Sequence, residues 1–314
     1  MAAPDRHRDR ACSQVLAGRG LPPAVLREDG PGLLPDLLGR GGDRELGGRT
    51  FALHTPEHLP IDERRPLVLA FHGGGARGTA MRRLTNLDAR VDAAGWLVTY
   101  PDGTDGHWND GRGGVAARVD DVSFAVGLVE HLVEVAGADA DRVYATGMSN
   151  GAMFCHRLAA ERPDVVAAFA PVAGTLPEPL LGYKPNGPVP VLMVHGSADP
   201  IVAYQGGTVA PGRGQVASVD ETAAWWRTAN RAAEPATVEE LAEASDADPT
   251  RVHRATWAAG PGGGDVVVVT VDGGGHTWPG GLQYLPRRVI GRTTTHVHAS
   301  DLVVAFFSGQ LRGR

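Results

Sequence analysis

The sequence is poor in cysteine. Its 314 residues include two, Cys12 and Cys155. At most one bridge is possible, so a disulfide framework is excluded as the source of stability. Lysine is almost absent as well, with Lys184 alone among thirty basic residues. Basic residues are outnumbered by thirty-six acidic ones, for a net charge of −6. Without a basic excess, nucleic acid is a poor candidate partner. No run of about 18 apolar residues occurs, so no membrane span is expected. The charged start Met1-Ala-Ala-Pro-Asp-Arg-His-Arg is not followed by the apolar stretch of a secretory leader. The expectation is a cytoplasmic protein if the chain is complete and a secreted one if a leader has been removed.

What remains has the composition of an ordinary globular domain, 42% hydrophobic and 21% charged. Residues 1–46 are rich in Arg, Gly, Pro and Asp and read as a partly ordered extension, with Leu33 to Leu38 able to form a short docking helix. Residues 47–314 read as one catalytic domain. Arg49–His54 alternates like an antiparallel edge strand. Short apolar runs then recur at 67–71, 96–100, 142–147, 166–170, 191–194 and 266–271. Helical periodicity separates them at 85–94, 120–136, 150–162 and 218–229, and returns near 301–307. Strands alternating with helices predict an α/β fold, a mostly parallel central sheet flanked by helices on both faces. The stretch 232–264 reads as a surface excursion with one strand around Val252–Trp257.

Three segments carry chemistry. Gly147-Met-Ser149-Asn-Gly151 matches G-x-S-x-G between a predicted strand and a predicted helix. A serine there must sit in a tight turn, and small residues two positions either side relieve clashes with strand and helix. A serine hydroxyl is a weak nucleophile and needs a base, which in turn needs a carboxylate to orient it. Asp199 follows the strand 191–194, although an aspartate before proline also starts turns. His276 follows the last long strand in Asp272-Gly-Gly-Gly-His276-Thr-Trp-Pro, where flexible glycines would let the base swing into line. His195, His296 and His298 are rival bases, and the spacing of His296 and His298 also admits a metal pair.

An early glycine loop, His72-Gly-Gly-Gly-Ala-Arg-Gly78, follows the strand 67–71. It can supply one backbone donor to an oxyanion, from Gly74 or Gly75, with the second from Asn150. The same loop satisfies G-x-G-x-x-G, with Asp102 at a distance suited to a ribose contact. A dinucleotide-binding reading therefore competes, though it leaves Ser149, Asp199 and His276 as coincidences.

Together with Tyr100-Pro-Asp-Gly-Thr104, Trp108-Asn109, Asp120-Asp-Val122 and Gly275-His-Thr-Trp-Pro-Gly-Gly281, these segments resemble the polyhydroxybutyrate depolymerase and feruloyl esterase group of α/β-hydrolases, over roughly residues 47–311. The resemblance implies Ser149, Asp199 and His276 as catalytic triad, Gly74 and Asn150 as oxyanion hole, and Gly75, Trp108 and Trp278 as substrate-binding residues. For both tryptophans core packing is the competing role. No cofactor and no metal are implied. The implied substrate is a small-molecule or oligomeric ester, of hydroxyalkanoate or hydroxycinnamoyl type. The chain departs from the group in lacking a visible leader, extra cysteines and room for a separate polymer-binding domain, which favours a soluble ester or short oligomer. A peptidase of the same fold and a non-catalytic ligand-binding relative are the alternatives. The oligomeric state is left open.

Overall fold

The computed structural model describes residues 43–56, 63–113, 116–209 and 212–312. The Leu33–Leu38 segment lies outside them. Twelve strands and seven α-helices follow one another along the described residues. Strands β1 (Asp43–Leu46), β2 (Arg49–His54) and β3 (Arg65–Phe71) lead into helices α1 (Gly78–Thr85) and α2 (Leu87–Val91) and strand β4 (Leu97–Pro101). Next come α3 (Asp121–Val135), β5 (Ala138–Met148), α4 (Asn150–Glu161), β6 (Ala168–Val172) and β7 (Val191–Gly196). The short pair β8 (Gly207–Thr208) and β9 (Gln215–Val216) precedes α5 (Val219–Asn230). The chain closes with β10 (Thr237–Ala242), β11 (Arg251–Trp257), β12 (Val266–Asp272), α6 (Arg287–Ile290) and α7 (Ala299–Ser308).

Ten strands form one sheet in the order β1-β2-β4-β3-β5-β6-β7-β12-β11-β10. The six from β4 to β12 run parallel, and antiparallel strands extend both edges. Parallel strands are buried on both faces, which is why β3 reads Leu-Val-Leu-Ala-Phe without alternation. Leu67, Leu69 and Phe71 join the core under α3, α4 and α5, while Val68 and Ala70 join the core under α1, α2 and α7. Each face is covered by helices that pack their apolar sides inward. In α3 those are Val122, Ala125, Val126 and Val129, with Asp120 capping the first turn through the Ser123 N–H at 3.0 Å. A capping box of Ser218 and Glu221 starts α5.

Three expectations change. Residues 43–46 belong to the sheet, so the fold begins before residue 47. The single helix expected at 85–94 is two short helices, because Asn86 is left-handed (φ 45°) and breaks the run. The excursion at 232–264 holds two strands, β10 as well as β11, and lengthens the sheet. Strand β10 is largely exposed, so it lacks the buried face that makes a strand visible in sequence.

Burial disfavours the charged form of three histidines. His156 on α4 accepts the Trp226 indole N–H at Nδ1 (2.9 Å), joining α4 to α5, and burial pushes its pKa down to about 3. His72 and His195 are shifted down for the same reason. A histidine that is harder to protonate folded than unfolded leaves the unfolded chain holding more protons below pH 6.5. Stability therefore falls as pH drops through 6.5 and keeps falling toward 3. His156 alone accounts for about 2 kcal/mol between pH 7 and 5. Urea midpoints measured across that range should decline, and a flat profile would contradict the burial of these side chains as neutral groups.

Candidate active site

The parallel strands end along one edge, and the three chemical segments meet there. Ser149 is the single residue between β5 and α4. Its backbone lies at φ 56°, ψ −118°, a conformation that costs a non-glycine residue about 1–3 kcal/mol. The surroundings hold it there. Its N–H donates to the Val172 carbonyl at 3.0 Å. The flanking glycines leave no alternative: a Cβ on Gly147 would lie 2.6 Å from the Gly151 backbone, and one on Gly151 2.3 Å from the Phe71 oxygen. The G-x-S-x-G spacing is thus a packing requirement of a strand–turn–helix reversal.

Asp199 sits in the turn after β7 and is buried. Its Oδ1 accepts the Ile201 and Val202 N–H groups, both at 2.8 Å, and its Oδ2 lies 2.8 Å from Nδ1 of His276. The turn role and the partnership with histidine therefore coexist. The carboxylate places the imidazole proton on Nδ1 and leaves the Nε2 lone pair available to take a proton. Gly274 and Gly275, the two glycines directly before His276, do not serve as a swivel. A Cβ on Gly275 would sit 2.1 Å from the Ile290 oxygen, and one on Gly196 2.4 Å from the Gly274 oxygen. They let three backbones pack together. His276 is then fixed by its N–H to the Ile290 carbonyl (2.6 Å) and by the Tyr284 hydroxyl on its own carbonyl (2.9 Å).

The rival histidines have other duties. His195 packs beneath the Asp199 turn and donates Nε2–H to the Val202 carbonyl at 2.8 Å. His296 Nε2 pairs with the Asp248 carbonyl, and His298 caps α7 through the Ser300 N–H. Among the described residues no cluster of three or more His, Cys, Asp or Glu side chains could hold a metal. Asp102, the ribose candidate, accepts from the Gly78 N–H (2.7 Å) and the Thr50 hydroxyl (2.6 Å). It ties the glycine loop to β2.

The glycine loop lies against the Ser149 turn. The Gly75 N–H is spent on the Gly106 carbonyl at 2.8 Å, whereas those of Gly74 and Asn150 have no partner among the described residues. Gly75 also stays out of the cavity wall that Gly74 lines. His72 pins the loop by bonding Gly73 through Nδ1 and Gly103 through Nε2.

A cavity of about 550 Å³ opens beside these groups, lined by Gly74, Ser149, Asn150 and His276. Trp108 reaches its wall yet is 2% exposed, stacked on Phe154 at 5.3 Å with its indole N–H on the His72 carbonyl. It forms floor rather than an open stacking platform. Trp278 is fully buried, does not line the cavity, and donates to the Ser300 hydroxyl at 3.1 Å. A bulky indole next to the histidine loop fills the core under that loop instead of contacting substrate. Sequence reasoning also missed a network under the unpartnered N–H groups. The Asn150 side chain bonds the Trp108 backbone twice and Asp110 once, and Asp110 pairs with Arg112. Its only signal was proximity to Trp108.

Asp248 anchors the segment that follows the histidine loop. Its Oδ2 accepts from the Thr295 N–H (2.6 Å) and from the Thr294 and Thr295 hydroxyls, and its Oδ1 from Thr250. These bonds hold its carboxyl far below the usual range. Asp248→Ala should destabilise the fold by about 3 kcal/mol, because several buried donors lose one charged acceptor. Thermal unfolding would show it, and an unchanged midpoint would contradict it.

A mostly parallel sheet with a strained serine at a strand-to-helix turn, a buried Asp–His pair on the same edge and unpartnered N–H groups beside it defines an α/β-hydrolase. Residues 49–177 match the family described as Esterase PHB depolymerase. The chain is 37% identical over 284 residues to NocK of Nocardia uniformis subsp. tsuyamanensis, named as an esterase, covering 84% of this chain and 81% of that one. It is 30% identical over 168 residues to feruloyl esterase B of Piromyces equi, covering 51% of this chain and 31% of that one. The fold is shared with acetyl xylan esterase from Aspergillus awamori, with a TM-score of 0.59 at 17% identity, over 86% of this chain and 99% of that one. The chain belongs to the polyhydroxybutyrate depolymerase and feruloyl esterase-like family and is a carboxylic ester hydrolase. No helix among the described residues is long and apolar enough to cross a membrane.

Proposed function

We propose that the enzyme cleaves carboxylic esters through an acyl-enzyme on Ser149, with His276 as base and Asp199 as its orienting carboxylate. The observation that carries this reading is the shared cavity. Ser149, His276 and the unpartnered N–H groups of Gly74 and Asn150 all border it, and Asp199 stands 2.8 Å behind the imidazole. His276 takes the hydroxyl proton as Ser149 attacks the ester carbonyl. The two N–H groups stabilise the negative oxygen of the tetrahedral intermediate. Collapse expels the alcohol, which receives the proton from His276. Water, deprotonated in its turn by His276, then releases the acid and restores Ser149. The aspartate remains ionised throughout and stabilises the imidazolium.

The substrate is a small or oligomeric ester of hydroxyalkanoate or hydroxycinnamoyl type. A cavity of about 550 Å³ suits a ligand of that size. A panel of p-nitrophenyl acetate, butyrate and octanoate, methyl ferulate and a hydroxybutyrate oligomer tests it. Turnover of at least one ester by wild type, lost in Ser149→Ala, supports the reading. Equal rates for the two proteins overturn it.

A further inference from the structure

The cavity wall carries an imbalance of charge that the acyl-transfer steps do not use. Arg83, Arg112 and Arg213 line it, and Asp110 is the one carboxylate among the described lining residues. Arg112 is buried, with its Nε 3.1 Å and its Nη2 2.7 Å from Asp110 Oδ2. Its Nη1 is buried and has no partner among the described residues. A buried donor left unpaired costs roughly 1–3 kcal/mol, more for a charged group. Asp110 itself is shared, since it also accepts from the Asn150 side chain at 2.7 Å. Arg83 and Arg213 are exposed and make no ion pair among the described residues. The rest of the wall is largely apolar, with Met81, Leu84, Ile201 and Leu282.

A ligand that matches this wall is mostly hydrocarbon and carries one small anion. A carboxylate meets both conditions, because its two oxygens complement a guanidinium and it brings an acceptor for the unpaired N–H. We propose that this esterase acts on esters bearing a free carboxylate away from the scissile bond, with Arg112 as the anchor and Arg83 and Arg213 raising the local concentration of the anion. The inference rests on the esterase reading of the same cavity. A linear oligomer of a hydroxy acid ends in such a group, and so does a half-ester of a dicarboxylic acid. The remote carboxylate is unchanged by the reaction, in which only the ester C–O bond breaks.

The test compares matched pairs. p-Nitrophenyl hydrogen adipate against p-nitrophenyl hexanoate places the carboxylate in the acyl half. The butyryl ester of 3-hydroxybenzoic acid against phenyl butyrate places it in the alcohol half. In one arm the charged ester should show a kcat/KM about 10- to 100-fold above its neutral match, the range of one charge-assisted hydrogen bond. Arg112→Gln should collapse that ratio whatever it does to the absolute rate. Arg213→Gln, an exposed change that leaves the core untouched, should lower the ratio several-fold and at low salt most. Neutral esters cleaved with no preference for either charged ester would overturn the carboxylate inference and leave the esterase standing. A preference that survives Arg112→Gln would overturn Arg112 as its anchor. Failure to cleave any of the four would overturn the esterase reading itself.

Discussion

Ser149→Ala is expected to lower kcat for p-nitrophenyl butyrate by roughly 10⁴- to 10⁶-fold, the range found when a nucleophile that acts in concert with its base is deleted. The fold should survive the change. Alanine has the same backbone constraints as serine, so the strained turn is neither relieved nor worsened, and the Ser149 N–H bond to Val172 does not involve the side chain. Ser149→Gly should be equally inactive but more stable by about 1 kcal/mol, because glycine adopts φ 56° without the penalty that a Cβ incurs. Activity and stability thus move apart at this one position. Thermal unfolding and steady-state rates on the three proteins check both halves. A glycine variant less stable than the alanine variant would contradict the strain assigned to the turn.

The second large effect is on the aspartate. Asp199→Asn is expected to lower kcat by about 10⁴-fold with little change in structure. An asparagine can keep its oxygen on the Ile201 and Val202 N–H groups, which now bond Oδ1 at 2.8 Å each. Its amide then faces His276 Nδ1 where Oδ2 stood. That nitrogen would have to accept rather than donate, so the proton moves to Nε2 and the lone pair needed by Ser149 is lost. The His195 ring does not replace it, because its Nε2–H is committed to the Val202 carbonyl. Rates together with the imidazole proton resonances of the variant distinguish a wrong tautomer from a collapsed turn. A variant within tenfold of wild type would remove Asp199 from its role.

The parts of the site that are legible in the sequence are those where backbone geometry restricts residue type. Gly147, Gly151, Gly196 and Gly275 each stand where a Cβ would press into neighbouring backbone. A reader of the sequence sees the glycines and finds Ser149, Asp199 and His276 beside them. The same signal misleads when its cause is misjudged. The glycines before His276 suggest a hinge, and Gly274 and Gly275 are close-packing positions instead. Long-range side-chain partnerships leave no such trace. Asn150 meets Asp110 across forty residues, and nothing local marks either as partner of the other. Trp278 illustrates a different limit. An indole two residues past His276 lies near the site in the chain, but the loop that follows β12 turns it into the core with Val303 and Phe307. In the fold, the buried parallel strands are visible as continuous apolar runs. The edge strands β1 and β10 are not, since each has one partner strand and shows no continuous buried face.

The most direct test of the central claim is covalent labelling with diisopropyl fluorophosphate, read by peptide mass spectrometry alongside residual hydrolysis of p-nitrophenyl butyrate. The predicted result is one phosphoryl adduct per chain on the peptide containing Ser149, with activity falling in proportion to labelling. An adduct on another residue, or full hydrolysis by fully labelled protein, would contradict it.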